Sequence, residues 1–390
     1  MTDGYGGRPD SGRPLAEAGF VPADWAPAFA AVPRTAFLPG LMWPHDAASG
    51  RAVAVDRAVD PEAWHRYADA DVPIVTQWDD GAHTGTAPGT VFTSSSSMPS
   101  VVASMLTDLD VRPGRRVLEI GTGTGWNAAL LAHRAGAGNV VSVEVDPVVA
   151  ESARQALRRA GYGGVRVVTG DGLLGHPPGA PYDRVIATCG VRSGLFTWVR
   201  QTAPGGVVVA PWGTYYTYTE ATVRLVVAGD GGSASGHFTR PVAFMRLRAQ
   251  RLVRPGHSAY VPARGTGDAE RSTTTVTEAE FLTGDLDVAG FAIGLRVPHC
   301  THVPDRKQAG RRPVWFYGLT DRSWAVVVFR DGQDTAIVHQ SGKRRLWDEV
   351  SAAFRWWQDQ GRPGFRRFGL TVTADRQAVW LDEPSNVVSR

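Results

Sequence analysis

The middle of this 390-residue chain alternates short apolar runs with amphipathic stretches. The pattern predicts strands over 117–120, 140–145, 165–168, 184–188 and 206–210, and helices over 126–134 and 148–160. Strands that alternate with helices at this spacing are typical of a parallel sheet covered on both faces. The sequence therefore predicts a doubly wound, Rossmann-like α/β fold.

The pattern changes on both sides of this region. Upstream, a short helical pattern covers 25–37 with a break at Pro33, and many turn residues predict irregular structure over 71–100. Downstream, the Thr, Gly and Ser of 265–275 predict a loop, before strands over 314–319, 324–329, 368–373 and 377–381 and a helix over 346–357. We expect a flexible leader (1–20), a catalytic domain (21–248, cofactor core 100–215) and a smaller α+β domain (249–390).

Composition and charge exclude several classes of protein. The 41 basic residues, almost all arginine, outnumber the 38 acidic ones by three, and they are spread along the chain, so we expect no nucleic-acid partner. The surplus of positive charge lies after residue 250, where there are 20 basic and 16 acidic residues. The first 250 residues hold 21 basic and 22 acidic residues. Without a signal peptide or a long apolar run, a cytoplasmic protein without a membrane partner is expected. The oligomeric state stays open.

Metal binding has little support in the sequence. Cys189 and Cys300 are the only cysteines, too few for a disulfide framework or an all-cysteine zinc site. The stretch from His299 to His302 offers at most three ligands. An ordinary loop is the favoured interpretation there, and no metal is expected.

A glycine-rich turn, Glu119-Ile-Gly121-Thr-Gly123-Thr-Gly125, joins the first predicted strand to its helix. Such a turn lets a ligand approach the backbone and the free N–H groups of the helix N-terminus, although tight packing alone could also explain it. Trp126 stands where a dinucleotide site needs a small residue, and the Gly-Lys-Ser/Thr of a P-loop is absent. A ligand with adenosine but no pyrophosphate remains.

Two acidic residues favour the same ligand. Glu144 ends the second strand, where a carboxylate can accept both ribose hydroxyl protons, and Asp171 ends the third, where it could accept from an adenine amino group. Either alone could be a strand-end cap. Together, at the carboxyl ends of successive strands, they make S-adenosylmethionine the leading ligand.

With these residues in place, the chain resembles the protein-L-isoaspartate O-methyltransferases. Residues 117–132, 170–172 and 182–188 are similar to the family's cofactor motifs. Three upstream segments are more diagnostic: 32–37 resembles its Val-Pro-Arg-x-x-Phe segment, 67–74 its Tyr-x-Asp…Leu-Pro-Ile stretch, and 95–103 its Thr-Ile-Ser-x-Pro…Val-Ala element. The resemblance covers roughly residues 20–248.

The resemblance implies roles for individual residues. Ser97 matches the family's serine that faces both the methyl donor and the substrate carboxylate, and Ser95 stands in the threonine position, so these two are the catalytic candidates. The candidates for cofactor binding are Glu119, Gly121, Thr122, Gly123, Gly125, Trp126, Glu144, Val145, Asp171, Gly172 and Thr188. Beyond the resemblance, the candidates for substrate binding are Ser96 and three residues of a segment that departs from the family pattern, Asp79, Asp80 and His83, although a solvated loop would also explain these three.

Two departures from the family pattern concern substrate recognition. Residues 75–92 replace a short Gly-x-Gly-Gln link, and everything after about residue 248 exceeds the family's usual length. The arrangement resembles a specialised branch that methylates an Asp in a ring-bearing ribosomal peptide, such as a lanthipeptide, leading to a succinimide and isoaspartate. We expect the C-terminal domain to recognise such a peptide. The alternatives are a repair enzyme acting on isoaspartate in damaged proteins and a small-molecule carboxyl methyltransferase.

Overall fold

A computed structural model describes residues 19–263, 265–267, 269–284, 286 and 288–389. In chain order the strands are β1 (Leu41–Asp46), β2 (Arg51–Ala52), β3 (Val55–Asp56), β4 (Ile74–Trp78), β5 (Phe92–Ser96), β6 (Val117–Ile120), β7 (Val140–Glu144), β8 (Arg166–Thr169), β9 (Tyr182–Ala187), β10 (Thr202–Trp212), β11 (Glu220–Val227), β12 (Ser233–Val242), β13 (Glu270–Thr274), β14 (Cys300–Pro304), β15 (Arg311–Gly318), β16 (Trp324–Arg330), β17 (Ala336–Ser341), β18 (Phe368–Thr373) and β19 (Gln377–Leu381). The helices are α1 (Ala26–Ala31), α2 (Pro61–Ala68), α3 (Pro99–Leu109), α4 (Trp126–Ala135), α5 (Pro147–Arg159), α6 (Leu195–Val199), α7 (Glu278–Phe281), α8 (Val288–Arg296) and α9 (Leu346–Asp359).

The main sheet has the strand order β19-β18-β12-β11-β10-β9-β6-β7-β8. Strands β6 to β10 are parallel to one another, and the remaining pairs are antiparallel. All four residues of β6 are buried, as expected for a strand with helices on both faces. Because β7 and β9 flank β6, the topology switches there and opens a crevice at the carboxyl end of β6. The predicted Rossmann-like fold is confirmed.

Helix α5 shows why the local sequence begins a helix directly after β7. The Asp146 carboxylate accepts hydrogen bonds from the backbone N–H groups of Val148 and Val149, and Pro147 occupies the first turn. An aspartate cap followed by proline is a strong helix start, because it satisfies N–H groups that have no partner within the helix. This start fixes the position of Glu144, two residues before the cap.

The C-terminal region contributes to two sheets. Strands β14 to β17 and β13 form an antiparallel sheet in the order β13-β17-β16-β15-β14, and α9 packs on it through Leu346, Val350 and Phe354. The last hairpin, β18 and β19, instead joins the main sheet, with Ser235 of β12 opposite Thr371. Hydrogen-bonded structure thus crosses the predicted boundary at residue 248, and the division into domains stays a prediction.

Several local predictions were wrong. The stretch 71–100 contains the paired strands β4 and β5, whose register shifts hide a regular apolar alternation. Within 265–275 lies β13, an edge strand whose exposed polar residues give no hydrophobic signal. The predicted loop at 299–302 is largely strand β14. In contrast, the helical pattern over 25–37 and its break at Pro33 are confirmed, because α1 ends before Pro33 and a 3-10 turn follows at Arg34–Phe37. Most of the predicted leader lies outside the described residues.

Across the described ranges, every helix is too short or too polar to cross a lipid bilayer.

Candidate active site

A cavity of about 360 Å³ lies beside the carboxyl ends of β6 and β7. Several segments contribute to its lining. They include residues 121–124 of the glycine turn (121–125), the serine segment (94–97) with residues 90–93 before it, and much of 244–252, which follows β12 and is called the arginine segment below. The cavity therefore lies at the topological switch point, where open α/β sheets bind their ligands.

The glycine turn requires glycine for two reasons. Gly121, Gly123 and Gly125 have φ angles of +94°, +52° and +88°, which disfavour residues with a Cβ atom. A Cβ atom on Gly123 would also lie 3.0 Å from the Ser95 carbonyl oxygen, and one on Gly121 would lie 2.8 Å from Thr188 Oγ1. The turn therefore brings bare backbone against both the serine segment and the end of β9.

Glu119 is linked to this turn by hydrogen bonds and does not itself line the cavity. Its buried carboxylate accepts hydrogen bonds from Asn127 Nδ2 at 2.7 Å and Ser142 Oγ at 2.5 Å, and Ser142 Oγ lies 2.6 Å from Thr122 Oγ1. Burial raises the pKa of Glu119 to about 7. The predicted cofactor role of Glu119 is thus limited in this structure to holding Thr122 and the start of α4.

Glu144 lines the cavity at the end of β7. Its carboxylate accepts from the backbone N–H groups of Gly123 at 2.9 Å and Asp146 at 3.1 Å. Burial, more than any neighbour, raises the pKa of Glu144, and these two amides oppose the shift. Each carboxylate oxygen has lone pairs left to accept further hydrogen bonds, such as those that the hydroxyl groups of a ribose would donate.

Asp171 lies two residues after the end of β8. Its carboxylate accepts from the Leu173 N–H at 2.9 Å and caps a short 3-10 turn, while the adjacent Gly172 lines the cavity. A role for Asp171 toward adenine stays a prediction.

The serine segment is fixed from behind by Arg34. This buried guanidinium donates to Ser96 Oγ at 2.9 Å and to the carbonyl oxygens of Ser96 and Ser97 at 2.9 and 3.0 Å. It also donates to the carbonyls of Ala70 and Val72. All three serines, 95 to 97, line the cavity. The Ser96 hydroxyl already accepts a hydrogen bond from Arg34, whereas Ser95 and Ser97 are part-buried.

The predicted substrate residues before β5 lie outside the cavity lining. The Asp79 carboxylate accepts from the N–H groups of Thr90 and Val91, and His83 Nε2 lies 2.7 Å from the Ala87 carbonyl oxygen. Asp80 forms ion pairs with Arg248 and Arg251 of the arginine segment. These residues shape the rim of the cavity, and their contact with substrate stays a prediction.

Most predicted site residues meet at this cavity, and others were missed. The predicted residues that line it are Ser95, Ser96, Ser97, Gly121, Thr122, Gly123, Trp126, Glu144, Val145, Gly172 and Thr188. The predicted residues outside the lining are Glu119, Gly125, Asp171, Asp79, Asp80 and His83. The arginine segment and Tyr218 carry no local motif, and only the fold brings them here. Among the described residues, no group of three or more His, Cys, Asp or Glu could hold a metal ion.

Comparison with known proteins decides the family. The sequence model of protein-L-isoaspartate(D-aspartate) O-methyltransferase matches residues 54–251, which is half of the chain and includes every residue of the cavity lining except Leu252. The chain belongs to this family. As a member, it is an S-adenosylmethionine-dependent carboxyl O-methyltransferase.

Individual relatives agree with this family. A protein-L-isoaspartate O-methyltransferase of Pyrococcus horikoshii is 45% identical over 151 residues, which span 39% of this chain and 67% of the relative. One of Anaeromyxobacter dehalogenans is 37% identical over 202 residues, or 52% of this chain and 86% of the relative. Further relatives, 41–48% identical, are matched over only 52–57% of their own length.

A solved structure extends the likeness of fold to the C-terminal region. A protein-L-isoaspartate O-methyltransferase superposes with a TM-score of 0.51 over 95% of this chain and 98% of its own, at 22% identity. The region after residue 248 is therefore compatible with the fold of a solved protein-L-isoaspartate O-methyltransferase. It does not by itself indicate a specialised branch.

Proposed function

We propose that this protein methylates the free carboxylate of isoaspartyl residues in peptides and proteins, with S-adenosylmethionine as the methyl donor. The observation that carries the proposal is that Ser97 and Glu144 line one cavity. A hydroxyl that could orient a carboxylate and a carboxylate suited to a ribose thus line a single site.

The residues of the cavity fit S-adenosylmethionine. The positions of Gly121 and Gly123 leave no room for a Cβ atom, so the backbone can approach a ligand closely. Glu144 would hold the ribose hydroxyls. The chemistry that the bound donor supplies is an electrophilic methyl group.

The chain's own task is to position a carboxylate. A carboxyl group with a pKa near about 4 is already ionised at pH 7, so no general base is needed. The Ser97 hydroxyl, with Ser95 beside it, would donate to one carboxylate oxygen and leave the other directed at the methyl group. Arg34 is a positioning residue that keeps this segment in place. Proximity and orientation account for most of the rate.

The ester that forms explains the consequence for the peptide. A methyl ester has a far better leaving group than a carboxylate, so the following backbone nitrogen can attack the ester carbonyl and release methanol. This closes a succinimide ring, which water then opens to Asp or isoaspartate. The enzyme is needed only for the esterification.

A second candidate substrate is a normal Asp in a ring-bearing ribosomal peptide. The observation that favours it is the segment before and within β5, which replaces a short family link and contributes Thr90 to Thr93 to the cavity lining. Val91 and Phe92 are 41% and 48% exposed. An apolar rim of this kind suits a preformed peptide turn.

Three peptides of identical composition distinguish the candidates: one with isoaspartate, one linear with Asp, and one with the same Asp enclosed by a thioether ring. Each is incubated with S-adenosylmethionine, and mass spectrometry follows a gain of 14 Da and the later loss of methanol. We expect methylation of the isoaspartyl peptide at a kcat/KM at least tenfold above both Asp peptides. Activity confined to the ring-bearing peptide would support the second candidate, and activity on small carboxylic acids alone would contradict both.

A matched pair of serine variants connects the activity to the cavity. Ser97→Ala removes the hydroxyl that faces the carboxylate. Ser104→Ala removes a hydroxyl that only donates to the Val101 carbonyl within α3. We expect a loss of activity in the first variant and wild-type activity in the second.

A further inference from the structure

Three arginines line the cavity, and one of them has no acidic partner. Arg248 pairs with Asp80 at 3.1 Å and with Asp146 at 3.3 Å, and Arg251 pairs with Asp80 at 2.8 Å. Within the described part of the chain, no carboxylate oxygen lies within 4.0 Å of the Arg246 guanidinium. Arg246 is thus a cation at the site whose charge the surrounding residues leave unmatched.

The Arg246 side chain is held in position by neutral groups. Its guanidinium carbon lies 5.3 Å from the ring centroids of both Tyr215 and Tyr218. Its Nη2 donates to the Thr217 carbonyl oxygen at 3.2 Å. One carbonyl leaves most of the five N–H donors of the guanidinium free for a planar acceptor such as a carboxylate.

The neighbouring charges do not neutralise Arg246. The buried acid Glu220 attracts Arg246 electrostatically, but it already forms an ion pair with Arg192 at 2.6 Å. Burial raises the pKa of Glu220 to about 7 and lowers the pKa of Arg246 to about 10, so Arg246 stays charged at pH 7. Two guanidinium groups therefore share at most one negative charge, and an anion would balance the cluster.

We propose that Arg246 forms an anion subsite that binds a second carboxylate of the peptide, next to the isoaspartyl residue that is methylated. The ligand is an acidic side chain or a chain terminus of the substrate. Tyr218, which covers one side of the guanidinium, is 81% exposed, so the subsite opens to solvent where a peptide can enter. The inference rests on the proposed function and adds a preference for acidic neighbours.

Calorimetry with the full-length protein saturated with S-adenosylhomocysteine tests the subsite without turnover. The probes are isoaspartyl peptides that carry Glu, or Gln in its place, at one or two residues on either side. For at least one position, we expect the wild type to bind the Glu peptide about tenfold to a hundredfold more tightly than its Gln twin. Arg246→Gln should abolish this preference, and Arg246→Lys should restore part of it.

The control is Arg200→Gln, which alters an exposed arginine outside the cavity lining and should keep the preference. Equal binding of Glu and Gln peptides by the wild type would overturn the proposal, as would a preference that survives in Arg246→Gln. A loss of S-adenosylhomocysteine affinity in Arg246→Gln, with the peptide preference intact, would assign the arginine to the donor's carboxylate and also overturn it.

Binding and turnover separate this inference from the proposed function. A Glu preference that depends on Arg246, without methylation of any isoaspartyl peptide, would retain the subsite and reject the proposed reaction. Methylation without a preference would do the reverse.

Discussion

Replacement of Arg34 by Met tests how the serine segment is held. The change removes the donor of five hydrogen bonds, of 2.9–3.2 Å, to Ser96 Oγ and to the carbonyl oxygens of Ala70, Val72, Ser96 and Ser97. Each buried acceptor left without a partner costs about 1 kcal/mol or more. The free energy of unfolding should therefore fall by several kcal/mol unless another term opposes the loss.

The cost of burying the charge of Arg34 opposes this loss of stability. Burial lowers the pKa of Arg34 to about 9, so keeping a charge there has a cost that Met avoids. We therefore expect a net loss of about 2–4 kcal/mol in the free energy of unfolding, which overlaps the range of about 3–5 kcal/mol for breaking a buried charge pair. Arg34→Lys, a cation with three donors, should lie between wild type and Arg34→Met.

Urea unfolding followed by tryptophan fluorescence measures this effect, and kcat is measured under conditions where every variant is folded. The control, Arg112→Ala, removes an exposed arginine whose ion pair with Asp110 is long, at 3.5 Å, and should change the free energy of unfolding by less than about 0.5 kcal/mol. If Arg34→Met behaved like this control in both stability and kcat, Arg34 would not position the serine segment.

Three further predictions concern the glycine turn and its acids. Because the folded-state pKa of Glu119 is about 7 against 4.5 ordinarily, the wild type should lose stability as pH rises from about 4.5 to 7, and Glu119→Gln should flatten this dependence in urea titrations. Glu144→Ala should weaken S-adenosylhomocysteine binding about tenfold to a hundredfold in calorimetry, whereas Glu151→Ala, on the exposed face of α5, should not. Gly123→Ala should lower the melting temperature and donor affinity together, because its methyl group would meet Ser95; unchanged values would contradict the described turn.

The parts of the fold that sequence predicts well are those with local causes. The largely buried strands β6 and β9 contain short apolar runs, at 117–118 and 185–187, and Gly121 to Gly125 mark the turn by composition alone. Glu144 follows from its place at a strand end. These features depend on a few residues that are neighbours in the chain, so their patterns can be recognised in the sequence alone.

Other features depend on contacts between distant residues. The β18 strand pairs with β12 more than a hundred residues earlier, and nothing in residues 368–373 specifies that partner. The polar strand β13 exists because β17 offers it hydrogen bonds. Arg246 is one of many arginines in the sequence. Only the fold shows that Tyr215 and Tyr218 hold it at the cavity while its two neighbours are neutralised.

The most direct test of the proposed reaction is the transfer of a labelled methyl group from S-adenosylmethionine to an isoaspartyl peptide, compared between wild type and Ser97→Ala. We predict a base-labile methyl ester on the isoaspartyl carboxylate with the wild type, and a rate about tenfold to a hundredfold lower with the variant. Label that resists mild base, or equal rates for the two proteins, would contradict carboxylate methylation positioned by Ser97 in this cavity.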